Sequence, residues 1–228
     1  MITAIVLAAG NGSRMNSSTK KQYMMLLDKP LVYYSLKVFE EHKDIDNIVI
    51  VTGEEDIKYM KDNIVDKYDI SKVSKIVAGG KERYNSVYNG LKASNESDYV
   101  LIHDGARPCV TEIGVSDIVR CVKQEGACVA GVPVKDTIKR IEDGNNIVET
   151  PNRNELWIAQ TPQAFNYKLI VKSYDEMMSI EDETITDDSM VVEKYGGVNV
   201  KMVEFSYDNI KVTTPEDLVI AGLFLSER

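Results

Sequence analysis

The sequence predicts an α/β fold in which helices cover both faces of one doubly wound, mostly parallel β-sheet. Short β-branched segments are almost continuously apolar, which is typical of strands that are buried on both faces. Stretches with the apolar spacing of amphipathic helices separate these segments, as in βαβ units. A polar segment with an Asp-Gly turn in the second half adds a β-hairpin that protrudes from the sheet.

The first part of the chain alternates strands and helices. Predicted strands cover residues 3 to 10, 47 to 53, 74 to 80, 99 to 105 and 127 to 134. Predicted helices cover residues 31 to 43, 54 to 68, 81 to 94 and 114 to 126. Because each helix connects two strands, we expect a Rossmann-like sheet that binds its ligand at the carboxyl ends of the strands.

The alternation stops at residues 136 to 153, the predicted hairpin. It carries too few apolar side chains to be stable alone, so we expect it to pack against this subunit or a partner. A strand at 156 to 163, a helix at NYKLIVKSYDEMM, an acidic turn at 183 to 189 that opens another helix, and the strand NVKMVEF follow. Thr214, Pro215 and Asp217 predict the start of a last helix, as N-cap, first helical residue and capping-box partner.

Length and charge narrow the class of protein. The 228 residues suffice for one domain with a full core, so we expect a single domain over 1 to 228 with 136 to 153 as a projecting arm. The formal net charge of −9 argues against a nucleic acid or an anionic membrane as partner. No apolar run approaches the ~20 residues of a membrane span and no signal peptide is evident, so we expect a cytoplasmic protein.

Cysteine and histidine usage constrains any metal site. Cys109, Cys121 and Cys128 lack CxxC spacing, which favours neither a disulfide framework nor a zinc site. His42 and His103 are the two histidines. Any metal is therefore expected to be a hard cation that carboxylates and phosphates bind.

The glycine turn after the first strand, GNGSRM at residues 10 to 15, is a candidate phosphate-binding loop. A dinucleotide fingerprint needs a third glycine where Met15 stands, and a Walker loop needs a Gly-Lys pair that is missing. What remains is a turn whose backbone N–H groups can approach phosphate oxygens, followed by Arg14, Lys20 and Lys21. The alternative is a plain strand-to-helix turn with solvated basic residues.

Charged residues elsewhere favour the ligand interpretation. Asp104 and Arg107, in HDGARP, follow an apolar strand, at the edge where open α/β sheets bind ligands. Their spacing suits a divalent cation beside a phosphate. Lys211 lies in a β-branched run, where lysine is unfavourable unless its amine reaches solvent or a charged partner.

Six sequence blocks carry a family resemblance. They are LAAGNGSRM, KQY at 21 to 23, GGKERYNSVYNGL, HDGARP, PVKDTIKR with RNELWIAQTPQAF, and TDDSMVVE with DNIKVTTPED. In this order they resemble the 2-C-methyl-D-erythritol 4-phosphate cytidylyltransferases from Ile5 to Leu218. The resemblance implies transfer of a cytidylyl group from CTP to a polyol phosphate, with release of pyrophosphate and Mg²⁺ as cofactor, in non-mevalonate isoprenoid synthesis.

The resemblance also implies roles for individual positions. The catalytic cations would be Arg14, Lys21 and Lys211. The nucleotide would contact Ala8, Ala9, Gly10, Gly12, Ser13, Gly80, Arg83, Ser86 and Asp104. The sugar phosphate would contact Asp104, Arg107, Thr137, Arg153, Thr161 and Lys211. Asp104 is the first choice for the metal ligand and Asp208 the second, while TDDS at 186 to 189 is either a helix cap or a ligand.

The hairpin and one departure complete these expectations. Thr137 and Arg153 match family positions that reach the neighbouring subunit's active site, so the arm would hold a homodimer together. The family's usual block is PKQY, whereas Lys20 stands here in place of proline. Either Lys20 or Lys21 then faces the phosphates, and the register favours Lys21.

Two rival functions stay open at this point. A cytidylyltransferase for ribitol 5-phosphate would share the glycine turn and the NIKVTTP block. A regulatory nucleotide-binding protein would keep the fold without the chemistry, and the set of charged positions argues against it. His103 adjoins Asp104 and is a candidate for an orienting role.

Overall fold

The computed structural model describes residues 1–10, 15, 19–180, 182 and 184–228. Its strands are β1 (Ile2–Ala8), β2 (Met25–Leu26), β3 (Lys29–Pro30), β4 (Asn47–Thr52), β5 (Val73–Ala78), β6 (Tyr99–Asp104), β7 (Ala127–Pro133), β8 (Arg140–Glu142), β9 (Asn146–Glu149), β10 (Trp157–Asn166) and β11 (Lys201–Glu204). Its α-helices are α1 (Leu31–Glu41), α2 (Ile57–Met60), α3 (Arg83–Ala93), α4 (Glu112–Glu125), α5 (Tyr167–Ile180), α6 (Asp188–Tyr195) and α7 (Pro215–Ser226).

The central sheet has seven strands in the order β11-β7-β10-β6-β1-β4-β5. β6, β1, β4 and β5 are parallel neighbours, β11 is parallel to β7, and β10 runs antiparallel to both of its neighbours. The predicted mostly parallel sheet is thus confirmed. Because β4 and β6 lie on opposite sides of β1, their connections diverge there and open a crevice at the carboxyl edge.

Helices cover both faces of the sheet. On one face α1, α2 and α4 pack against Ala4 and Val6 of β1, and on the other α3, α5 and α6 pack against Ile5. Successive residues of β1 therefore enter two different cores. This double burial explains why the strands are apolar at almost every position.

The segment predicted as one helix over 54 to 68 is divided. A 3-10 turn at Glu54–Asp56 precedes α2, and a π-helical stretch at Lys61–Val65 follows it. Met60 and Ile64 are both fully buried, so the apolar side of the segment still packs into the core through the change of helix type. The apolar spacing predicted the burial but not the wider turn.

The final helix begins as the sequence predicts. Pro215 occupies its first turn, and the side chains of Thr214 and Asp217 form a capping box. None of the helices in the described part of the chain has the length and hydropathy of a membrane span.

The predicted hairpin, hereafter the arm (residues 136 to 153), is confirmed as the antiparallel pair β8 and β9. Gly144 and Asn145 both have positive φ, 70° and 62°, as a tight hairpin turn requires. Ile141 and Ile147 are 53% and 62% exposed. The arm leaves the sheet at the end of β7 and returns at Trp157, which pairs with Pro133, so it projects from the carboxyl edge.

Candidate active site

A cavity of about 670 Å³ lies at the carboxyl edge of β1, β4, β5 and β6. Its lining includes nine of the residues predicted for the site, namely Ala8, Ala9, Gly10, Lys21, Gly80, Arg83, Ser86, Asp104 and Lys211. They come from both halves of the chain, and the parallel register brings them to one edge. Gly12, Ser13 and Arg14 lie outside the described residues.

One wall of the cavity is made of small residues. A Cβ on Gly79 would lie 2.6 Å from the Cβ of Ala9, and one on Gly80 would lie 2.3 Å from the Cβ of Asn85. The N–H of Gly80 donates to Ser86 Oγ at 3.0 Å. Gly79 and Gly80 therefore allow close packing against Ala9 and Asn85, and this side of the cavity is lined by residues with small side chains or none.

The opposite side of the cavity is charged. Asp104, at the end of β6, accepts from Lys211 Nζ at 2.6 Å and from Arg83 Nε at 3.4 Å. Burial by itself would raise the pKa of Asp104, but Arg83 and Lys211 outweigh it and hold the pKa well below its ordinary range. The carboxylate is therefore ionised, and Lys211 has the charged partner that its position in the sequence requires.

Arg83 is fixed by a residue that sequence reasoning missed. Its Nη1 and Nη2 donate to the two carboxylate oxygens of Asp188 at 3.0 and 2.8 Å, and Tyr174 donates to the same carboxylate at 2.6 Å. Asp188 is completely buried. Burial would lower the pKa of Arg83, but Asp188 and Asp104 raise it above its ordinary value.

The TDDS motif, residues 186 to 189, also begins helix α6. Asp187 is the N-cap of α6 and accepts from the N–H of Met190 at 3.0 Å, which supports the helix-cap alternative for this motif. Its neighbour Asp188 turns inward to Arg83. The motif pointed to Asp188 as part of a cap or a ligand, but no local signal in the sequence pairs it with Arg83, 105 positions away.

Arg107 lies behind the cavity wall rather than among the lining residues. Its Nη1 donates to the carbonyl of Asn209 at 2.7 Å, while its buried Nε has no hydrogen-bond partner within the described ranges. Asn209 in turn donates to the carbonyl of Thr161 at 2.9 Å. These bonds fix the segment that carries Lys211, and Asn209 is a second residue that the sequence did not reveal.

Thr161 and His103 support the backbone of Asp104. Thr161 Oγ accepts from the N–H of Asp104 at 3.1 Å and lies 3.1 Å from His103 Nδ1. His103 Nε2 lies 3.2 Å from the carbonyl of Arg107. Burial lowers the pKa of His103 to about 4, so its ring is neutral at physiological pH. Both side chains are buried, and their contacts orient the HDGARP turn.

The two adjacent lysines have different surroundings. Lys20 Nζ forms ion pairs with Glu55 and with Asp56, the latter at 2.6 Å. Lys21 lines the cavity. Gln22, the next residue, is buried and also lines the cavity. This arrangement supports the register in which Lys21 faces the ligand.

Two predicted residues lie away from the cavity. Thr137 and Arg153 are exposed on the arm, and neither is among the residues that line the cavity. Arg153 Nη1 donates to the carbonyl of Lys135 at the root of the arm, at 2.8 Å. Within one subunit they therefore take no part in the site.

Comparisons with known proteins agree with these observations. The profile of the 2-C-methyl-D-erythritol 4-phosphate cytidylyltransferase family, IspD, matches residues 2–227. The chain is 46% identical over 226 residues to the protein of that name from Lachnoclostridium phytofermentans, covering 99% of this chain and 97% of the relative. It is 49% identical to the protein of the same name from Clostridium botulinum strain Langeland, with coverages of 99% and 97%.

Solved structures show the same fold. 4-diphosphocytidyl-2C-methyl-D-erythritol synthase from Anaerococcus prevotii superposes with a TM-score of 0.87 at 35% identity, covering 99% of this chain and 96% of the other. The cytidylyltransferase of Francisella tularensis gives 0.82 at 30% identity, with coverages of 98% and 99%. The chain therefore belongs to the 2-C-methyl-D-erythritol 4-phosphate cytidylyltransferase family, the nucleotidyltransferases that transfer a cytidylyl group from CTP to methylerythritol 4-phosphate in isoprenoid synthesis.

Proposed function

We propose that the cavity binds both substrates of this reaction, with the cytosine of CTP on the small-residue wall and the acceptor phosphate near Asp104 and Lys211. The observation that carries this placement is that one continuous cavity has a wall of small residues and a charged end. Ala8, Ala9, Gly80 and Ser86 would frame the base. Gly10, Gly12 and Ser13 would direct backbone N–H groups toward the triphosphate.

The proposed chemistry is an in-line displacement at the α-phosphorus of CTP. An oxygen of the acceptor phosphate forms the new P–O bond as the bond to the β-phosphate breaks, and pyrophosphate leaves with the bonding electrons. A phosphate monoester loses its second proton near pH ~6, so the nucleophile is already ionised at neutral pH. No general base is needed, which agrees with a buried and neutral His103.

Charge neutralisation is the main contribution expected of the protein. Arg14 and Lys21 would lie along the triphosphate, and Lys211 would neutralise charge at the acceptor phosphate. Arg83, held by Asp188, keeps a positive charge at the nucleotide side of Asp104. Arg107 and Thr161 would act on the acceptor from behind the wall, by fixing Asp104 and the segment around Lys211.

Enzymes of this family generally use a divalent metal ion, and we propose Mg²⁺ here. Among the described residues, no group of three or more potential ligand side chains is close enough to hold a metal. Mg²⁺ commonly binds through one or two carboxylates together with substrate phosphates, and the single buried carboxylate of Asp104 fits that donor set. The ion would supply charge neutralisation at the triphosphate.

We also propose that the single domain over 1 to 228 forms a homodimer whose arms complete the partner's cavity through Thr137 and Arg153. The support is a hairpin exposed along its length that leaves the sheet from the same edge as the cavity. Exposed Ile141 and Ile147 provide apolar surface for a partner.

Pyrophosphate release tests the substrate assignment. Purified enzyme with CTP and Mg²⁺ should release pyrophosphate with methylerythritol 4-phosphate and much less with ribitol 5-phosphate. Lys21→Ala should remove this activity, while Lys43→Ala, at an exposed position before β4, should not. Activity with ribitol phosphate alone would overturn the acceptor assignment.

Subunit mixing tests the arm. Lys21→Ala and Arg153→Ala should each inactivate the enzyme. After subunit exchange in an equal mixture, about half of the dimers contain one subunit of each kind, and one of the two sites in each such dimer is intact. The mixture should therefore regain about a quarter of the wild-type activity. A mixture that stays inactive would contradict the shared site.

A further inference from the structure

Lys20, the residue before Lys21, forms ion pairs with the segment that follows the core strand β4. Its amine pairs with Glu55 and Asp56, which belong to the 3-10 turn directly after β4. Asp56 is only 14% exposed at its side chain, so this contact is partly shielded from solvent. Hydrogen bonds that Lys20 donates to Asp56, the largest contribution, and to Glu55 raise its pKa, so it stays charged at neutral pH.

A second anchor lies on the other side of Lys21. Lys21–Tyr23 form a single 3-10 turn, closed by the N–H of Tyr23 donating to the carbonyl of Lys20 at 2.9 Å. The hydroxyl of Tyr23 lies 3.2 Å from Thr52 Oγ1, the last residue of β4. Lys20 and Tyr23 therefore fasten both ends of the turn to one strand end, and Lys21 lies between them on the cavity side.

We propose that Lys20 is a positioning residue, whose ion pairs with Glu55 and Asp56 hold the turn so that Lys21 points into the cavity. The proposal rests on the function proposed above, in which Lys21 contacts the phosphates of CTP. Lys20 itself would not touch the nucleotide, because its amine is bound to two carboxylates.

The backbone of Lys20 supports this role and offers a sharp test. Its φ of −58° and ψ of 138° are values that a proline ring accommodates. A proline here would restrict the backbone without any charge. If Lys20 acts by restricting the turn, proline should substitute for it, whereas a lysine that binds phosphate directly could not be replaced in this way.

Ion pairs near a surface are individually weak and are screened by salt. We therefore expect Lys20→Ala to raise KM for CTP by about three- to tenfold and to lower kcat by a similar factor, because a displaced Lys21 would lose contact with the phosphates in both the ground state and the transition state. The double variant Glu55→Gln with Asp56→Asn should raise KM similarly, and adding Lys20→Ala to it should have no further effect. The ratio of the KM values of Lys20→Ala and wild type should shrink as NaCl increases.

The decisive variant is Lys20→Pro, which should keep KM for CTP within about twofold of wild type. Lys58→Ala is the matched control, since it removes another lysine that pairs with a carboxylate, Asp62, on the exposed side of the same segment. Thermal unfolding of each variant would show that the domain stays folded.

Three results would overturn parts of this scheme separately. A lowered KM in an Asp56→Asn variant, whose carboxylate does not line the cavity, together with a raised KM in Lys20→Ala, would identify Lys20 as a direct phosphate ligand. A Lys20→Pro enzyme as impaired as Lys20→Ala would contradict the conformational role. Normal turnover of both Lys21→Ala and Lys20→Ala would instead refute the proposed function, in which a lysine of this turn contacts the phosphates of CTP.

Discussion

The charged side of the cavity, hereafter the wall, and the arm differ in how their charged side chains are paired. In the wall, buried charges from distant parts of the chain pair with each other, as Arg83 does with Asp188, which is completely buried. In the arm, the charged side chains are exposed, and Arg140 pairs with Glu142 and Glu149 of the same hairpin. The contacts of the wall are therefore complete within one subunit. The arm is hydrogen-bonded as a hairpin, but its side chains are not buried in the single subunit.

The wall should be the more sensitive of the two regions, and Asp188→Asn is expected to have the largest effect. It removes the completely buried partner of Arg83, whose side chain is 32% exposed and would keep only the longer contact with Asp104, so unfolding free energy should fall by about 3 kcal/mol, the lower end for a broken buried pair. Urea unfolding measures this. Asp175→Asn, which breaks an exposed pair with Lys92, is the control and should cost less than about 1 kcal/mol. Equal losses would contradict the contrast between buried and exposed pairs.

Lys21→Ala tests the catalytic side of the cavity. Turnover should fall by at least ~10²-fold, the scale of one preorganised charge lost at the reacting phosphate. Steady-state pyrophosphate release measures it. Near-normal turnover here, with an inactive Lys20→Ala enzyme, would reverse the assignment of the two lysines.

The unfolding free energy should decrease in acid because of His103. Its pKa is lowered from 6.5 to about 4 by burial, so the unfolded chain binds the proton more readily between these pH values. The corresponding stability is fully present above pH ~6.5 and is lost as the pH falls toward ~4, a change of roughly 3 kcal/mol. Unfolding free energies measured from pH 7 to 4 should show this slope.

A neutral side chain at position 103 provides the comparison for the acid effect. His103→Gln should flatten the slope, although its stability at pH 7 is expected to be lower. His42→Gln is the matched control, because His42 is the other histidine and its pKa is also lowered by burial. A slope that vanished in His42→Gln and persisted in His103→Gln would show that His42, and not His103, causes the loss of stability in acid.

The arm should show the smallest effect on folding. Ile141→Ser with Ile147→Ser alters two exposed side chains, so the unfolding free energy of the dissociated subunit should change by less than about 0.5 kcal/mol. Subunit association, followed by sedimentation velocity, should weaken. A variant that loses stability as a monomer would show that the arm packs on its own subunit.

Much of the architecture could be predicted because burial leaves a periodic pattern. Strands such as β1, covered on both faces, are apolar at consecutive positions, and the capping box at Thr214 and Asp217 is a local signal. The division of the segment from 54 to 68 was not predicted, because α- and π-helical turns bury Met60 and Ile64 equally well. Local propensity does not separate them.

The site could be predicted in part. Resemblance and strand ends together identified nine of the 19 residues that line the cavity, including Lys21, Asp104 and Lys211. Asp188 was missed because it pairs with a residue 105 positions away. Arg107 was expected beside the acceptor; its guanidinium donates to the carbonyl of Asn209, and Arg107 is not among the residues that line the cavity. Its role toward the acceptor stays a prediction.

The sequence by itself determined the fold class, the edge of the sheet that carries the cavity, the hairpin and the charged residue types at the strand ends, since each depends on local periodicity or on chain order. Only the tertiary structure decided which charges pair. Asp104 is shared by Lys211 and Arg83, and Lys20 is bound to carboxylates while its neighbour Lys21 faces the cavity. The physical reason is that an ion pair depends on the separation of two side chains in space, which distance along the chain does not specify.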